Sequence, residues 1–341
     1  MKPATLKEIA TTLGLSISTV SKALKDYPDV SKKTKKLVKE LAETLNYRPN
    51  ASAVNLRTKE SKTIGLVIPE VVHHFFSSVI KGIISEAEDK GYLVIILQSN
   101  ESFELEKKQI ELLINKQVDG ILISLANGTY DFSHLKAVMN QGITLVMFDK
   151  IAKIVDCSKV IIDDQMAAFD ATQHLIDTGC KRIAHFRGPL TPQNSIDRFL
   201  GYKKALLHNQ IPYDPSLVYI LDAMSFEEGQ HFTKELLKDH DDIDGIFINT
   251  DLVAIGSITE LNKRNIKIPE QISIIGFSNW FMSSVISPTL STVNQPGHLM
   301  GKKSFKLLYK EIKKRKEGKK IKFKNVELKT DIILRDSTKK I

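Results

Sequence analysis

Apolar residues recur at helical spacing from the start of the chain. Leu6, Ile9, Ala10 and Leu13 share one face of a first helix, and Gly14 then supplies the permissive backbone of a sharp turn. Ser16 is placed to cap a second helix through Val20 and Leu24, whose other face shows Ser18, Ser21 and Lys22. A third helix fits Ser31–Leu45, with Val38, Leu41 and Leu45 turned inward to close a three-helix core of about 46 residues. This is a helix-turn-helix pattern. A short polar run on a helix narrow enough for a major groove, set among lysines that can neutralise phosphates, points to DNA. An αα-hairpin with no DNA role is the plain alternative.

Arg48-Pro49-Asn50 then breaks the helical pattern, because proline disfavours the α conformation in the residue before it and lacks an N–H. Asn50 can cap a further helix over Ala51–Leu56. Two turns are marginal alone in water, so this segment is predicted to order only when something packs on it.

From Thr63 the period changes. Short apolar runs, among them Ile64–Ile68, Gly120–Ile123, Ile143–Phe148, Gly245–Ile248 and Ile272–Phe277, alternate with helical stretches such as Ser77–Lys90, Gln165–Thr178 and Leu252–Arg264. Such alternation predicts βαβ units and parallel sheet covered by helices on both faces. About nine strands are expected, in one large sheet or in two stacked lobes, and periodicity leaves that choice open.

The 341 residues are enough for two or three domains, and 42% hydrophobic with 26% charged residues excludes collagen-like and disordered classes. The net charge of +9 is unevenly spread: +7 over residues 1–62, −9 over 63–301 and +11 over 302–341. A basic head on an acidic body predicts a polyanionic partner for the head, with nucleic acid first. The basic carboxy-terminal run, including Lys313–Lys316 and Lys319-Lys320, reads most simply as a solvated face. Two cysteines, Cys157 and Cys180, lack any disulfide or zinc spacing, and the reading is a reducing compartment. No secretory signal pattern and no apolar run of bilayer length are visible, so a soluble cytoplasmic protein without membrane partners is expected.

Enzyme chemistry is not visible in the sequence. HExxH, GxSxG and a GxGxxG after a strand are all missing. Gly301-Lys302-Lys303-Ser304 has the look of a phosphate loop but lacks the spaced upstream glycine, and the adjacent His73-His74 do not share a face as two metal ligands would. Neither a catalytic residue nor a metal or cofactor is expected.

The run Thr5–Ala10 through Ser16–Leu24, followed by Asn46-Tyr47-Arg48-Pro49-Asn50-Ala51, resembles the lac-repressor (LacI/GalR) family of bacterial transcription regulators. Further matches in family order are Thr63-Ile64-Gly65, Val118-Asp119-Gly120, Gly188-Pro189, Ala254-Ile255-Gly256, Ile274–Phe277 and Gln295-Pro296. The resemblance covers nearly the whole chain. It implies an all-α helix-turn-helix DNA-binding head over 1–46, a hinge helix and linker over 47–62, and an α/β two-lobed body over 63–341 like the periplasmic sugar-binding proteins. By similarity the first lobe takes about 63–161 and 293–323, and the second about 162–290 and 326–341.

Carried over residue by residue, the resemblance implies that Ile17, Ser18 and Lys22 meet base edges, with Thr5, Ser16, Thr19, Ser21, Asn50 and Ala53 as further DNA-contacting positions. The chemistry agrees: Ile17 offers an apolar surface to a thymine methyl, Ser18 a hydroxyl, and Lys22 a cation for guanine O6/N7. Many relatives carry arginine where this chain has Lys22, and lysine lacks the bidentate fork. Leu56 is the implied wedge between base pairs at the operator centre, apolar because it must replace the stacking it interrupts. Paired hinge helices imply a homodimer on a pseudo-palindromic double-stranded operator.

For the effector cleft the resemblance implies Phe76, Asp149, Asn194, Arg198, Thr250 and Ser278. Asp251 is included with them, with capping or orienting a loop as its alternative. Thr250 and Ser278 stand where many relatives have Asn and Asp. Trp280, the only tryptophan, follows a predicted strand end where α/β proteins bind ligands, and is read as a stacking platform for a sugar, or else as an interface residue. The expected function is a ligand-responsive, sequence-specific DNA-binding regulator, a repressor of carbohydrate uptake or catabolism genes whose effector is a sugar or sugar derivative. The alternatives are a regulator whose body senses a partner protein, and a sugar-binding-fold protein or enzyme with an unrelated helical head.

Overall fold

A computed structural model describes residues 4–48, 60–72 and 74–340. The chain divides into two compact units, Met1–Ser61 and Lys62–Ile341.

In the first unit α1 (Leu6–Leu13) begins with a capping box: Glu8 N–H donates to Thr5 Oγ1 at 3.3 Å, and Thr5 N–H donates to Glu8 Oε2 at 2.7 Å. Gly14 sits in the left-handed region at φ 63°, which ends α1 and turns the chain into α2 (Ile17–Leu24), capped by Ser16. Ser31 caps α3 (Lys32–Thr44). Ile9, Ala10, Val20, Ala23, Val38 and Ala42 form the core of the three helices. Leu45 does not join it. At 39% exposure it lies past the end of α3, and Ala42, one turn earlier, fills the inward position. Tyr47 packs on this core, so the head extends beyond residue 46. The predicted hinge over 51–56, with Asn50, Ala53 and Leu56, lies outside the described residues.

The second unit runs β1 (Thr63–Ile68), α4 (His74–Glu88), β2 (Leu93–Gln98), α5 (Phe103–Asn115), β3 (Gly120–Ile123), α6 (Ser133–Asn140), β4 (Thr144–Phe148), β5 (Ser158–Ile162), α7 (Asp164–Asp177), β6 (Ile183–Arg187), α8 (Gln193–His208), β7 (Val218–Ile220), α9 (Phe226–Asp239), β8 (Gly245–Ile248), α10 (Asp251–Lys263), β9 (Ser273–Phe277), β10 (Ser291–Asn294), α11 (Gly297–Lys316), β11 (Asn325–Leu328) and β12 (Asp331–Ile333). The strands form two six-stranded sheets, ordered β11-β5-β4-β3-β1-β2 and β12-β10-β9-β8-β6-β7. The choice between one sheet and two is therefore two lobes. The first sheet is parallel throughout, and in the second only β12 runs antiparallel to its neighbour.

Two lobe boundaries differ from the sequence reading. Val293 and Asn294 belong to the second lobe, because Val293 pairs with Phe277 on β9, whereas Val326–Leu328 belong to the first, because Leu328 pairs with Ile162 on β5. Pairing with strands distant in sequence decides both, and no local pattern carries them. β10, β11, β12, α6 and α11 escape the periodicity for a related reason: they are short, or as polar as the lysine-rich α11. That helix nevertheless buries Met300, Phe305, Leu308 and Ile312. Gly301 of the Gly-Lys-Lys-Ser run lies inside α11, not in a loop. A Cβ there would stand 2.1 Å from the Val79 carbonyl oxygen, and one on Gly82 would stand 2.2 Å from that of His298, so the two glycines let α4 and α11 approach backbone to backbone. Among the described residues no helix is long and apolar enough to cross a membrane, and no group of His, Cys, Asp or Glu is placed to hold a metal ion.

Candidate functional site

In the head, the face of α2 away from the core carries the base-reading candidates. Ile17 is 49% exposed, Ser18 and Lys22 project from the same side, and Val20 and Ala23 on the opposite face are buried. Thr5 and Ser16 are the N-caps of α1 and α2, so two residues expected to touch DNA mark the helix amino termini, the ends that favour a phosphate. The Thr19 hydroxyl stands 2.8 Å from Ser16 Oγ, and Ser21 is half-buried. Lys22 is not idle: its ammonium pairs with Asp29, whose hydrogen bond and charge raise the lysine pKa, and the lysine in turn holds the aspartate below the usual carboxylate range. No local pattern in the sequence marks Asp29 as the partner of Lys22. What the sequence shows there is an acidic residue just past α2, in a head otherwise rich in lysine.

In the body, the carboxyl ends of β1, β4, β6, β8 and β9 open on a cavity of about 440 Å³ lined from both lobes. Strand ends of this kind are the usual ligand position in parallel sheets. Phe76, Asp149, Asn194, Arg198, Thr250 and Ser278 all line it. Non-glycine residues at positive φ gather around the same cavity: Asn100 at 51°, Glu101 at 56°, Asp149 at 57°, Met224 at 52° and Ser278 at 116°. Backbone held in such conformations is over-determined by its surroundings, as functional clefts often require.

Asp149 follows β4 and is buried. Its carboxylate accepts from Ser124 Oγ at 3.2 Å and from Gln295 Nε2 at 3.1 Å, and burial pushes its pKa up. On the other wall Arg198, on α8, donates from Nε to Asp164 at 2.8 Å and from Nη1 to the Asn249 carbonyl at 3.0 Å, with its guanidinium 3.6 Å from the Phe277 ring centre. Lys150 donates to Glu101 at 2.5 Å and to Asn127 Oδ1 at 2.6 Å. Both cations of the cleft thus have carboxylate partners. Glu70 and Asp222 also line it, so the lining is acidic on balance. Among the described residues, Asn249 Oδ1 and Ser195 Oγ are buried there without a protein partner. Gly188 lets the backbone pass close against both side chains, since a Cβ would lie 2.8 Å from Asn249 Nδ2 and 3.1 Å from Ser195 Oγ. Asn249, Ser195, Lys150 and Gln295 were missed from sequence. A short polar run at the end of each strand was the available signal, and Asn249 stands directly before Thr250.

Two predicted ligand residues are not in the cleft. Asp251 is buried and turned the other way. It accepts from Trp280 N–H at 2.6 Å, Ser283 Oγ at 2.8 Å and Thr292 Oγ1 at 2.6 Å, so it ties the loop after β9 to β10. That loop, once anchored, carries the Trp280 ring away from the cavity to stand 6.5 Å from His74 and 5.8 Å from Phe281. The tryptophan lies between the two lobes and outside the residues that line the cavity. Thr250 combines two roles, lining the cleft and capping α10.

Residues 61–330 match the family described as periplasmic binding proteins and sugar binding domain of LacI family, and residues 5–50 match bacterial regulatory proteins of the lacI family. Catabolite control protein A of Priestia megaterium is 33% identical, over 98% of this chain and 99% of its own length. Among solved structures, the Lac repressor dimer bound to operator and the anti-inducer ONPF matches with a TM-score of 0.85 at 25% identity, over 99% of each chain. A LacI family transcriptional regulator from Enterococcus faecium with bound ribose matches with a TM-score of 0.71 at 28% identity, covering 81% of this chain and 98% of that one. With a helix-turn-helix head and a two-lobed body matched in order along its length, this chain belongs to the LacI family of bacterial DNA-binding transcription regulators.

Proposed function

We propose that this protein is a cytoplasmic repressor of carbohydrate uptake or catabolism genes, not an enzyme, and that its effector is an uncharged, hydroxyl-rich molecule of sugar size. The observation that carries the effector class is the balance of the cleft. Arg198 and Lys150 are each already held by a carboxyl group, Asp164 and Glu101, whereas Asp149, Glu70 and Asp222 have no cationic partner among the hydrogen bonds and ion pairs of the described residues. A phosphate or carboxylate entering this lining meets net negative charge in a partly desolvated space. Hydroxyls, by contrast, can donate to Asp149, Asn249 Oδ1 and Ser195 Oγ, and an apolar sugar face can lie against Phe76.

On DNA, Ile17, Ser18 and Lys22 read base edges of a pseudo-palindromic operator as a homodimer, and Asn50, Ala53 and the Leu56 wedge act at its centre. Apolar insertion there kinks the duplex and lets more protein reach it. Closure of the lobes on the effector changes the spacing of the two heads and so the operator affinity.

The test is calorimetric titration of the purified protein with neutral mono- and disaccharides and with their phosphate esters, paired with operator binding. At least one neutral sugar is expected to bind and shift operator affinity, and its phosphate ester to bind far more weakly. Preferential binding of the ester would overturn the effector class. Failure of every small molecule to change operator affinity would favour a partner-sensing body.

A further inference from the structure

All six strands of the first sheet are parallel, so their amino-terminal ends share one rim, and the chain from the head enters the body at that rim, at Lys62. α11 runs to the same rim. Leu308 and Ile312 pack against Gly120 at the start of β3, and Arg315 reaches Gly142 just before β4. Lys316 pairs with Asp119 at 3.5 Å, and the same carboxylate accepts the backbone N–H of Lys62 at 3.2 Å. One acidic side chain therefore joins the entry point of the chain to the basic end of α11.

From Lys313 to Lys324 the chain holds eight basic residues and one acidic one, Glu317. Most of these basic residues are exposed, among them Lys313, Lys319, Lys320, Lys322 and Lys324. The helix dipole accounts for cations in the last turn of α11. Lys319 pairs with Glu317 at 2.6 Å, but neither that pair nor the dipole accounts for Lys320, Lys322 and Lys324, which lie beyond the helix and lead into β11. A shared net charge elsewhere does not account for them either, since residues 63–301 carry −9. Like charges concentrated this way repel one another in the absence of a polyanion.

We propose that this rim is a second DNA-contacting surface, which takes backbone phosphates of the duplex flanking the operator read by the head. The tether favours this partner over other polyanions. Arg48 is joined to Lys62 by fourteen residue steps, at most about 50 Å when fully extended, so a duplex held by the head stays within reach of the rim. Duplex DNA presents about one negative charge per 1.7 Å of axis, and a row of flexible lysines can track it without reading sequence. Engagement is then intramolecular and adds affinity that either surface alone lacks.

The inference rests on DNA binding by the head, and the experiment separates the two. Full-length protein is titrated with duplexes that share one operator centre but carry short or long flanks, over a range of salt. The wild type is expected to bind the long duplex at least about tenfold tighter at low salt, with a steeper dependence of log K on log salt, by up to about 0.9 for each flanking phosphate that the rim neutralises. The K319Q/K320Q/K322Q/K324Q variant is expected to lose that preference and that extra slope, while keeping its melting temperature and its affinity for the short duplex. Equal flank dependence and equal salt slope in wild type and variant would overturn the proposal. Weak binding of the short duplex by both proteins would instead count against the head.

Discussion

Arg198, which lines the interlobe cleft, and Asp164 behind it form a buried ion pair at 2.8 Å, the arginine 4% and the aspartate 7% exposed. The arginine comes from α8 and the aspartate from the first turn of α7, so the pair clamps the two helices that frame the second lobe's side of the cavity. Stacking on Phe277 and a bond to the Asn249 carbonyl complete its coordination.

Arg198→Met removes the cation and leaves the Asp164 carboxyl buried alone. Breaking a buried pair from one side destabilises by about 3–5 kcal/mol, so the denaturation midpoint is expected to fall sharply. Arg198→Met/Asp164→Leu, which removes both charges, is expected to recover most of that loss while effector binding stays impaired. Chemical denaturation of the two single variants and the double variant checks this, and additive single effects would contradict the pairing.

Burial pushes the Asp164 pKa from 3.8 up to about 7, against the pull of Arg198 and with the help of the Asp149 charge. Folding therefore favours its protonated form, and between about pH 4 and 7 the folded state holds more protons than the unfolded one. Its contribution to stability falls as pH rises across that window and levels off above it. Melting temperatures of wild type and Asp164→Asn are expected to differ by an amount that shifts against the wild type from pH 4 to 7. A constant difference would place the carboxyl's titration outside this range.

Asp29 holds the ammonium of Lys22, the residue proposed to read a base pair. Asp29→Asn frees the ammonium and is expected to tighten operator binding and steepen its salt dependence, with the melting temperature unmoved because the pair is exposed. Lys22→Gln is expected to weaken operator binding by about five- to a hundredfold and to relax the preference at one base pair per half-site. Binding assays on operators substituted at each position distinguish the two effects.

Trp280 stands between the lobes beside His74, not in the cavity. Effector binding is expected to change its emission through lobe movement, whereas Trp280→Phe should leave the effector Kd within about twofold. A large loss of affinity in that variant would return the ring to the ligand site.

The linear chain already determined much of this protein. Apolar spacing, the caps Ser16 and Ser31 and the left-handed turn at Gly14 define the head, because helix periodicity and capping are settled by neighbours a few residues apart. Most strands and helices of the body were legible for the same reason, as was the cleft membership of Phe76, Asp149 and Arg198 through family motifs. Tertiary structure alone decided the rest. The lobe of β10 and β11 follows from pairing with β9 and β5, and the glycines of α4 and α11 matter only because those helices touch. Asp251 and Trp280 sit at a strand end, where sequence places ligand groups, yet three hydrogen bonds from the loop and β10 turn the aspartate inward and carry the tryptophan away. Likewise the charge of the cleft depends on which carboxylates pair with Arg198 and Lys150. Side-chain direction and charge partnership are properties of atoms brought together from distant positions, and no local pattern encodes them.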